Sequence, residues 1–444
     1  MEIVISEALA ELASHFPELY IVGGCVRNSL LGFAAGDIDL ASPLNAEETA
    51  AALEGTPFTT LAVSPRLGTL LIYGKGLKAE YTAFRRDSYP EGLGSHSPDG
   101  VVFTRELEED ARRRDFSVNA LYYAVNSRRL VDPLGGLPDL ENKILRAAVE
   151  PKKVFSEDGL RIMRLARFAA ELGFTPEADT LAAAKKFSKN LADIAVERIF
   201  SEFMLILKSD LKYGIMNAPK RGVEILVDTG AMKYIIPELI DAVGEPQNPM
   251  YHKLDVYRHI LECISRVSGD IRLAALFHDI GKPPTKKSDG NTYRHAEAGA
   301  EIADMRLKAL RCPAALRRET VRLVRYHMLP DNMRENKMRL FILDNLDIVE
   351  KLIELKRADS RAGKTKEAGE PALERVYKKM LAEGAPMSVA DLQVDGRDLI
   401  ELGVPERERG TAMHELLRLA VNDESMRGRE AQLEFLKKRG NRYE

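Results

Sequence analysis

Several features that define large protein classes are missing from this 444-residue sequence. Its three cysteines, Cys25, Cys263 and Cys312, lie far apart without CxxC spacing, which excludes a disulfide framework and a thiolate zinc site. No apolar run approaches the roughly 18 residues of a membrane span. The acidic start MEIVISEALAELASHF lacks the basic residues of a signal peptide. We therefore expect a protein of the reducing cytoplasm without a membrane partner.

An excess of positive charge is also missing. The chain has 65 basic and 68 acidic residues, a formal charge of −3, which argues against a protein coated in nucleic acid by bulk charge. Its composition, 45% hydrophobic and 30% charged, permits a sizeable core. At about 150 residues per domain, the length suggests roughly three domains.

The first 145 residues differ in texture from the rest. Short β-rich runs, LYIV, DIDLAS, TLLIYG and KAEYTAF, alternate with glycine turns and with predicted helices such as AEETAAALEG. From residue 151 onward, apolar residues recur with helical spacing and strand alternation is absent. The pattern predicts an α+β fold, in which an α/β head with a small sheet precedes a helical neck, body and tail. The stretches GEPQNPM (244–250) and KTKEAGEP (364–371) resemble joints.

A glycine turn is followed closely by two aspartates. In YIVGGCVRNSLLG a strand ends at Gly23 and Gly24, where bare amides and a helix start suit phosphate, although such turns are more often purely structural. In GDIDLA, strand geometry puts Asp37 and Asp39 on one face. Such a pair can hold magnesium ions together with nucleotide phosphates, whereas a lone DxD more often marks a solvated edge strand. Glu80, in LKAEYTAF, is a candidate third carboxylate.

Arginines cluster in RRRDFSVNALYY. Arg112, Arg113 and Arg114 precede an amphipathic run, and three adjacent arginines usually form a solvated face. Asp115 and Asn119 lie four apart, the spacing of one helical turn. Their hydrogen-bonding groups are therefore predicted to share a face and to point at a sugar or a base.

The segment SEDGLRIMRLARFAAELGF is predicted to form one amphipathic helix. Ser156 is the expected N-cap, Glu157 and Asp158 suit the positive helix end, and Gly173 is the expected stop. At 100° per residue the predicted buried face comprises Ile162, Met163, Ala166, Ala169 and Ala170.

Charged residues recur every three positions on the other side of this predicted helix. They are Asp158, Arg161, Arg164 and Arg167, a set of planar donors and one acceptor that can read base edges or bind a triphosphate. A salt-bridge ladder within the protein is the alternative, since pairs at this spacing are common on helices.

Taken in order, these segments resemble the class II tRNA nucleotidyltransferases, which include the CCA-adding enzymes and their bacterial poly(A) polymerase relatives. The family's GGxVRD occurs as GGCVRN, DxD as DID, RRDFTxNA as RRDFSVNA, DPxGGxxDL as DPLGGLPDL and EDxxRxxRxxRF as EDGLRIMRLARF. Five motifs in the family's order over residues 21–174 make chance agreement implausible. Asn28 departs from the aspartate that is usual in the family.

The resemblance implies a nucleotidyltransferase-type head with two-metal catalysis. Asp37 and Asp39, with Glu80 as the candidate third catalytic carboxylate, would hold two magnesium ions. The tRNA 3′-hydroxyl would attack the α-phosphate of CTP or ATP in line and release pyrophosphate. Asp158 and Arg161 would recognise the base. The other residues implied to bind the nucleotide are Gly23, Gly24, Arg27, Arg114, Asp115, Asn119, Arg164 and Arg167.

Segment 84–103, FRRDSYPEGLGSHSPDGVVF, is similar to the family's flexible loop. Its full length, and the lack of the segment that marks the poly(A) polymerases, favour addition of the whole CCA. An enzyme of partial specificity, which adds only CC or only A, is the alternative.

Histidines and aspartates recur in a suggestive order in the second half. Imidazoles and carboxylates together suit a divalent transition metal that activates water for phosphoester hydrolysis, although any single histidine is more often a core or surface residue. The order resembles the HD-superfamily phosphohydrolases, in which extra histidines can bring a second ion. It implies a site for Mn²⁺, Ni²⁺ or Fe²⁺ that acts on RNA ends. The candidate ligands are His259, His278, Asp279, His295, His327 and Asp359.

Four parts are expected along the chain. They are a nucleotidyltransferase head at 1–145, a helical neck with the nucleotide-reading motif at 146–210, an HD body at 211–365 and a tRNA-binding helical tail at 366–444. The favoured function is template-independent addition of CCA to tRNA, with tRNA, CTP and ATP as partners, by a monomer or a homodimer.

Two functions of other classes compete with this one. The protein would act mainly as an HD metal phosphohydrolase on RNA ends, or it would bind RNA without catalysis. The DID pair speaks against both, because RNA binding needs no acidic pair and phosphate repels one.

Overall fold

The chain folds into two compact units. The computed structural model describes residues 3–34, 36–89, 99–249, 253–363 and 369–440. Unit 1 comprises Met1–Ile240 and Ala309–Cys312, and unit 2 comprises Asp241–Lys308 and Pro313–Glu444. Parts of the predicted loop at 84–103 and of both predicted joints lie outside the described residues.

All strands found in the described residues lie in unit 1. They are β1 Tyr20–Val22, β2 Ile38–Ser42, β3 Thr59–Ser64, β4 Thr69–Gly74, β5 Leu77–Ala83, β6 Arg85–Ser88, β7 Gly100–Phe103, β8 Tyr122–Ala124, β9 Arg129–Val131, β10 Ile144–Leu145 and β11 Thr175–Pro176. Seven of them form one mixed sheet in the order β3-β4-β5-β2-β1-β8-β9. In this sheet β2 and β5 run parallel and the other neighbours run antiparallel. The pair β6-β7 is antiparallel and the short pair β10-β11 is parallel.

Helices occur in both units. In chain order they are α1 Glu7–Ser14, α2 Gly24–Leu30, α3 Ala46–Ala52, α4 Leu107–Arg112, α5 Gly136–Glu141, α6 Pro151–Glu157, α7 Leu160–Leu172, α8 Ala178–Lys186, α9 Val196–Leu207, α10 Asp210–Tyr213, α11 Ala218–Asp228, α12 Glu238–Asp241, α13 Val256–Ile264, α14 Arg272–Phe277, α15 Lys282–Asp289, α16 His295–Ala309, α17 Ala314–Tyr326, α18 Glu335–Asp344, α19 Val349–Ala362, α20 Ala372–Ala382, α21 Gly396–Glu401, α22 Glu406–Ala420 and α23 Arg429–Gly440. Short 3-10 helices lie at Pro65–Leu67, Ser117–Asn119, Ser188–Asp193, Ala231–Tyr234, Val389–Asp391 and Glu424–Arg427.

The predicted α+β class, with a sheet in the head and helices after it, is confirmed. Strand β3 was not predicted from the sequence, because this edge strand is mostly exposed and lacks alternation. Strand β8 was not predicted either, because its three residues are all buried within the sheet and therefore show no period of two. The expectation of no strand after residue 151 is wrong for β11, whose two residues pair with β10.

Side-chain alternation in β5 prepares one face of the sheet for polar groups. Leu77, Ala79, Tyr81 and Ala83 are buried, whereas Glu80 between them is exposed. In β2, the exposed carboxylate of the DxD motif likewise precedes a buried leucine. The two strands therefore turn acidic side chains away from the core.

The predicted single neck helix is two helices, α6 and α7. Ser156 is not an N-cap, because it lies in the last turn of α6, where its hydroxyl donates to the Lys153 carbonyl at 3.1 Å. The break falls at Gly159, where a side chain would lie 2.8 Å from the Asn190 carbonyl oxygen. Asn190 Nδ2 also donates to the Phe155 carbonyl at 3.1 Å and so satisfies an end of α6.

The break changes the position of the acidic residues before α7. Glu157 ends α6 and so lies at a negative helix end, and Asp158 is extended, with its Oδ1 accepting from the Leu160 amide at 2.9 Å. Gly173 ends α7 with a φ of 68°, as predicted. The predicted buried face of this helix is confirmed for Ile162, Met163, Ala166, Ala169 and Ala170.

Candidate functional site

The candidate catalytic carboxylates lie on and beside the parallel strands β2 and β5. The strand register places Asp39 opposite Glu80, and both residues are exposed. Asp37, also exposed, directly precedes β2. These three do not form a set with ligand atoms all within 4.8 Å; among the described residues, such sets lie in unit 2. The structure thus pairs Asp39 with Glu80 and leaves Asp37 at the start of the same strand.

The surroundings of Asp39 raise its pKa from 3.8 to about 6. The surrounding protein weakens the solvation of this carboxylate even though part of the residue stays accessible, and that is the largest cause. The negative charges of Glu80 and Asp37 add to the shift, while Arg114 opposes it. Carboxylates that repel one another beside a strand are a donor set that a hard divalent cation stabilises. Their chemistry therefore suits a hard divalent cation.

We expect Glu80→Gln to lower the pKa of Asp39 from about 6 toward 3.8, because it removes a neighbouring negative charge. A folded-state pKa above the unfolded value makes the protonated form contribute stability that is lost as pH rises from about 4 to about 6. The wild type should therefore lose more stability across this range than the variant. Carboxyl NMR titration and urea unfolding of the metal-free protein measure both effects. Glu424→Gln, in unit 2, is the control, and an unchanged Asp39 pKa in Glu80→Gln would contradict the assignment.

Arg114 is held rigidly beside this pair. Its Nε donates to the Tyr122 hydroxyl at 2.9 Å, and its second guanidinium nitrogen donates to Asp110 at 3.2 Å. The Tyr122 hydroxyl in turn donates to the buried Asp110 carboxylate at 2.6 Å. Asp110 and Tyr122 were not predicted from the sequence, although the spacing of four between Asp110 and Arg114 is a usable signal of an ion pair.

The glycine turn makes room for this guanidinium. Gly23 has a φ of 67°, and a Cβ there would lie 3.2 Å from a terminal nitrogen of Arg114. Because glycine adopts this backbone conformation without steric cost, the turn brings bare amides next to a fixed positive charge.

Arg27 is buried and held by neutral oxygens. Its guanidinium donates to the side-chain oxygens of Asn119 and, at 2.9 Å, Asn28. The Tyr213 hydroxyl donates to the same Asn28 oxygen at 3.0 Å, and the Phe168 ring centre lies 5.1 Å from the Arg27 guanidinium carbon. The residue that departs from the family motif, Asn28, thus serves as a shared acceptor that joins α2 to α10.

Asp115 and Asn119 are joined, but not by a helical turn. Asn119 Nδ2 donates to Asp115 Oδ1 at 2.9 Å, and Arg164 Nε donates to Asp115 Oδ2 at 2.7 Å. Burial alone would raise the pKa of Asp115, but Arg164 and Asn119 lower it to about 2. The intervening chain forms a 3-10 helix that leads into β8, so the expectation of an α-helical turn is wrong.

The remaining arginines of α7 are also paired. Arg161 is buried and donates to the carbonyls of Val154 at 3.1 Å and Arg113 at 2.8 Å. Arg167 Nε donates to Glu202 at 2.7 Å. Most of these partners come from other segments, so the set ties α7 to its neighbours more than it forms a ladder along the helix. Asp158 lies close enough to Arg161 for the arginine to oppose the rise of the aspartate's pKa, which burial causes.

Unit 2 brings the six HD candidate ligands together around Asp279. The first ligand set is His259, His278, Asp279 and Asp359. Asp279 Oδ2 lies 3.4 Å from Nε2 of both His259 and His278, and Asp359 Oδ1 lies 2.9 Å from His259 Nε2. One ligand atom from each of His259, His278 and Asp279 lies within 4.8 Å of the other two.

The second ligand set is Asp279, His295 and His327. The other carboxylate oxygen of Asp279, Oδ1, lies 3.3 Å from His295 Nε2 and 3.9 Å from His327 Nε2. The two imidazole Nε2 atoms are 3.2 Å apart. Asp279 is therefore shared, with one oxygen directed to each set.

Backbone carbonyls fix the orientation of three of these rings. Each Nδ1 donates to the carbonyl three residues earlier, at 2.8 Å for His278, 2.6 Å for His295 and 2.6 Å for His327. The opposite Nε2 of each ring is left facing Asp279 as a ligand atom. Burial lowers the pKa of His327 to about 3, which keeps that imidazole neutral. Buried imidazole nitrogens that converge on a shared carboxylate fit divalent transition metals.

Gly281 and Lys282, which follow His278 and Asp279 in the chain, contact the HD ligands. A Cβ at Gly281 would lie 2.1 Å from the His295 carbonyl oxygen, so glycine lets α15 begin directly against the start of α16. Lys282 Nζ donates to Asp279 Oδ2 at 2.6 Å and to Gln247 at 2.7 Å. Lys282 was not predicted as a site residue from the sequence.

Three stretches of the chain match known protein families. The family described as "Poly A polymerase head domain" matches residues 19–146, "Probable RNA and SrmB- binding site of polymerase A" matches 173–243, and "HD domain" matches 251–363. A CCA-adding enzyme of Streptococcus thermophilus is 34% identical over 324 residues, 72% of this chain and 73% of that enzyme. The chain belongs to this family of tRNA nucleotidyltransferases.

Other tRNA nucleotidyltransferases show how far the likeness extends. An A-adding tRNA nucleotidyltransferase of Deinococcus radiodurans is 31% identical over 365 residues, 78% of this chain and 77% of that protein. The crystal structure of the Bacillus stearothermophilus CCA-adding enzyme in complex with CTP has a TM-score of 0.68 at 24% identity, with 98% of this chain and 97% of that chain covered. The chain spans about half the length of several further curated relatives that it matches.

Within the tRNA nucleotidyltransferase family, the head and the HD domain both imply dependence on divalent metal ions. All six HD candidate ligands fall inside the HD match at 251–363. The four-part division at 145, 210 and 365 stays a prediction. In the part of the chain that the structure describes, no helix has both the length and the apolar character needed to cross a membrane.

Proposed function

We propose that this chain is a template-independent tRNA nucleotidyltransferase that adds CCA to tRNA 3′ ends from CTP and ATP. The observation that carries the proposal is the acidic pair of Asp39 and Glu80 on neighbouring strands, with the fixed Arg114 close to Asp39 and to the turn at Gly23. An acidic group for metal and a basic group for phosphate, side by side, suit nucleotidyl transfer.

Asp37 and Asp39, with Glu80 as the third carboxylate, are the residues that would hold magnesium. Magnesium, when bound, would stabilise the negative charge on the attacking and leaving oxygens of an in-line displacement. Weakened solvation and the neighbouring carboxylates raise the pKa of Asp39 to about 6. In the metal-free protein, Asp39 therefore favours its protonated form below a pH of about 6.

Arg114 and the glycine turn would bind the triphosphate. Because Tyr122 and Asp110 fix the guanidinium before any ligand arrives, phosphate binding would cost little side-chain entropy. Gly24, after Gly23, adds backbone without a side chain. Arg27 would support the triphosphate site indirectly, because its bonds to Asn119 and Asn28 hold the glycine turn in place.

Asp158 and Arg161 would read the base. Two backbone carbonyls and the Glu157 carboxylate accept from Arg161, so its guanidinium is oriented by the protein. A fixed donor beside the acceptor of Asp158 can match the Watson–Crick edge of cytosine or adenine and leave guanine and uracil poorly paired. Arg164, held by Asp115, and Arg167 would complete this wall of the site.

We expect Arg161→Lys to reduce selectivity for CTP and ATP over UTP and GTP by about tenfold or more, because lysine keeps the charge but loses the planar fork. Initial rates with each labelled nucleotide measure the ratio. Arg146→Lys, which changes an arginine paired with Asp139 elsewhere in unit 1, is the matched control. Unchanged discrimination in Arg161→Lys would remove the base-reading role.

Extension assays test the proposed activity directly. The purified full chain with magnesium is given tRNAs that lack the whole CCA, the final CA or the final A, with labelled CTP and ATP alone and together. We expect stepwise completion to CCA. If no tRNA is extended under any combination, the proposal fails.

Addition of A alone is the runner-up within the same reaction class. It is favoured by the match to the A-adding enzyme, which covers 78% of this chain. The same assay separates the two, because an A-adding enzyme extends only the tRNA that lacks the final A.

We also propose that the HD centre hydrolyses phosphoesters on RNA ends. The observation that favours this second activity is the pair of ligand sets that share Asp279. A transition metal bound there would activate water for attack on phosphorus. In the chain itself, the three backbone-oriented histidines present Nε2 inward, and Lys282 sits against Asp279, where its ammonium balances the carboxylate charge.

A further inference from the structure

Lys356 connects α19, which carries Asp359, to the end of α17, which His327 follows. It lies on α19, three residues before Asp359, and is half-buried. Its Nζ donates to the backbone carbonyl of His327 at 3.1 Å and to that of Leu329 at 2.8 Å. A residue of one ligand set's helix is thereby bonded to the backbone of a ligand in the other set.

The contact lies where the end of a helix needs a partner. His327 immediately follows α17, and the last carbonyls of a helix lack internal donors and carry partial negative charge. The Lys356 ammonium satisfies two carbonyls at this end. The same last turn orients the His327 ring, because Nδ1 donates to the Val324 carbonyl at 2.6 Å. Backbone and ring of this ligand are thus fixed together.

The first ligand set depends less on this contact. His278 is oriented by the Ala275 carbonyl, and His259 is bonded to Asp359 at 2.9 Å. The second ligand set has only His295 and His327 besides the shared Asp279. A loose end of α17 would therefore remove one of three ligands from the second set and none from the first.

We propose that Lys356 is a positioning residue for a second metal ion, held by Asp279, His295 and His327. The inference rests on the proposed metal-dependent HD activity. Lys356 holds His327 at the distance from Asp279 that the second set needs, through the backbone and not as a ligand itself.

Manganese titration of the full chain tests this role, with calorimetry for affinity and electron paramagnetic resonance for coupling between paired ions. All chains in this titration carry Asp39→Asn, which removes metal binding by the head. With an otherwise wild-type sequence, we expect two ions to bind at the HD centre. Lys356→Met, which keeps the aliphatic stem, should bind the second ion about tenfold or more weakly and lose the coupled signal. Binding of the first ion should stay within about twofold, since its ligands are unchanged.

A second lysine on the same helix provides the matched control. Lys351 Nζ donates to Glu319 at 2.8 Å and so also joins α19 to α17, away from the ligands. Lys351→Met should bind both ions like the wild type. Lys356→Gln, which keeps a donor, should recover part of the second-ion affinity and serves if Lys356→Met does not fold.

Three results would overturn the inference. They are wild-type binding of both ions by the Lys356 variants, equal loss of the second ion in Lys351→Met, and equal weakening of both ions in Lys356→Gln. A wild-type chain that binds no ion at the HD centre would instead overturn the metal site itself, and the inference with it. The comparison among variants therefore separates the two failures.

Discussion

Asp39→Asn is expected to lower the rate of nucleotide addition to tRNA by about a thousandfold or more. The change keeps the size of the side chain and removes the negative charge that would hold magnesium. Loss of solvation raises the pKa of Asp39, Glu80 and Asp37 raise it further, and Arg114 opposes them. Single-turnover extension of a tRNA that lacks the final A measures the effect without a contribution from product release.

The same variant distinguishes a lost catalytic group from a damaged fold. Because the charge on Asp39 is repelled by Glu80 and Asp37, its removal should leave the urea midpoint of unfolding unchanged or higher at neutral pH. Asp193→Asn, at an exposed position of unit 1, should extend tRNA normally. His278→Ala should also retain addition, because His278 lies in unit 2 among the HD ligands. Normal addition by Asp39→Asn would show that the catalytic carboxylates lie elsewhere.

Strand β2, which carries the candidate carboxylate Asp39, could be predicted from the sequence because its signal is local. A DxD motif in a strand has a period of two, and the exposed Asp39 beside the buried Leu40 follows from it. The partnership with Glu80 could not be established in this way. It depends on the parallel pairing of β2 with β5, strands 41 residues apart at this pair, and no local pattern encodes that register.

In the neck, a local pattern predicted one helix where the structure has two, α6 and α7. Charged residues every three positions predicted one helix, yet Gly159 and the packing of Asn190 divide it. Asp158 therefore reaches its place from an extended linker. Tertiary contacts, which no helical period records, decide where α6 ends and where Asp158 and Arg161 lie.

The HD centre lies between these cases. The order of histidines and aspartates indicated a metal site, and the structure brings all six residues together. The division into two sets was beyond the sequence, because it depends on which oxygen of Asp279 each histidine faces. Lys282 and Lys356 were missed for the same reason, since ammonium groups are common near the surface and only their acceptors distinguish these two.

Asp279→Asn is expected to weaken binding of both manganese ions at the HD centre by about a hundredfold or more. Each oxygen of this carboxylate faces a different ligand set, and an asparagine offers one oxygen and one donor where two anionic oxygens are needed. Calorimetric titration, again in the Asp39→Asn background, measures both ions. Hydrolysis of RNA with a 2′,3′-cyclic end should fall with them, while Asp279→Asn in the otherwise native chain should still extend tRNA.

Asp359→Asn is the comparison that makes this result specific to a shared ligand. Asp359 lies at 2.9 Å from His259 in the first set and is absent from the second, so its loss should weaken one ion and spare the other. If Asp279 bridges the two sets, Asp279→Asn should weaken binding of both ions, whereas Asp359→Asn should weaken binding of only one. If Asp279→Asn keeps one ion at wild-type affinity, the two sets do not share it, and the centre is then better described as one metal site with a histidine pair beside it.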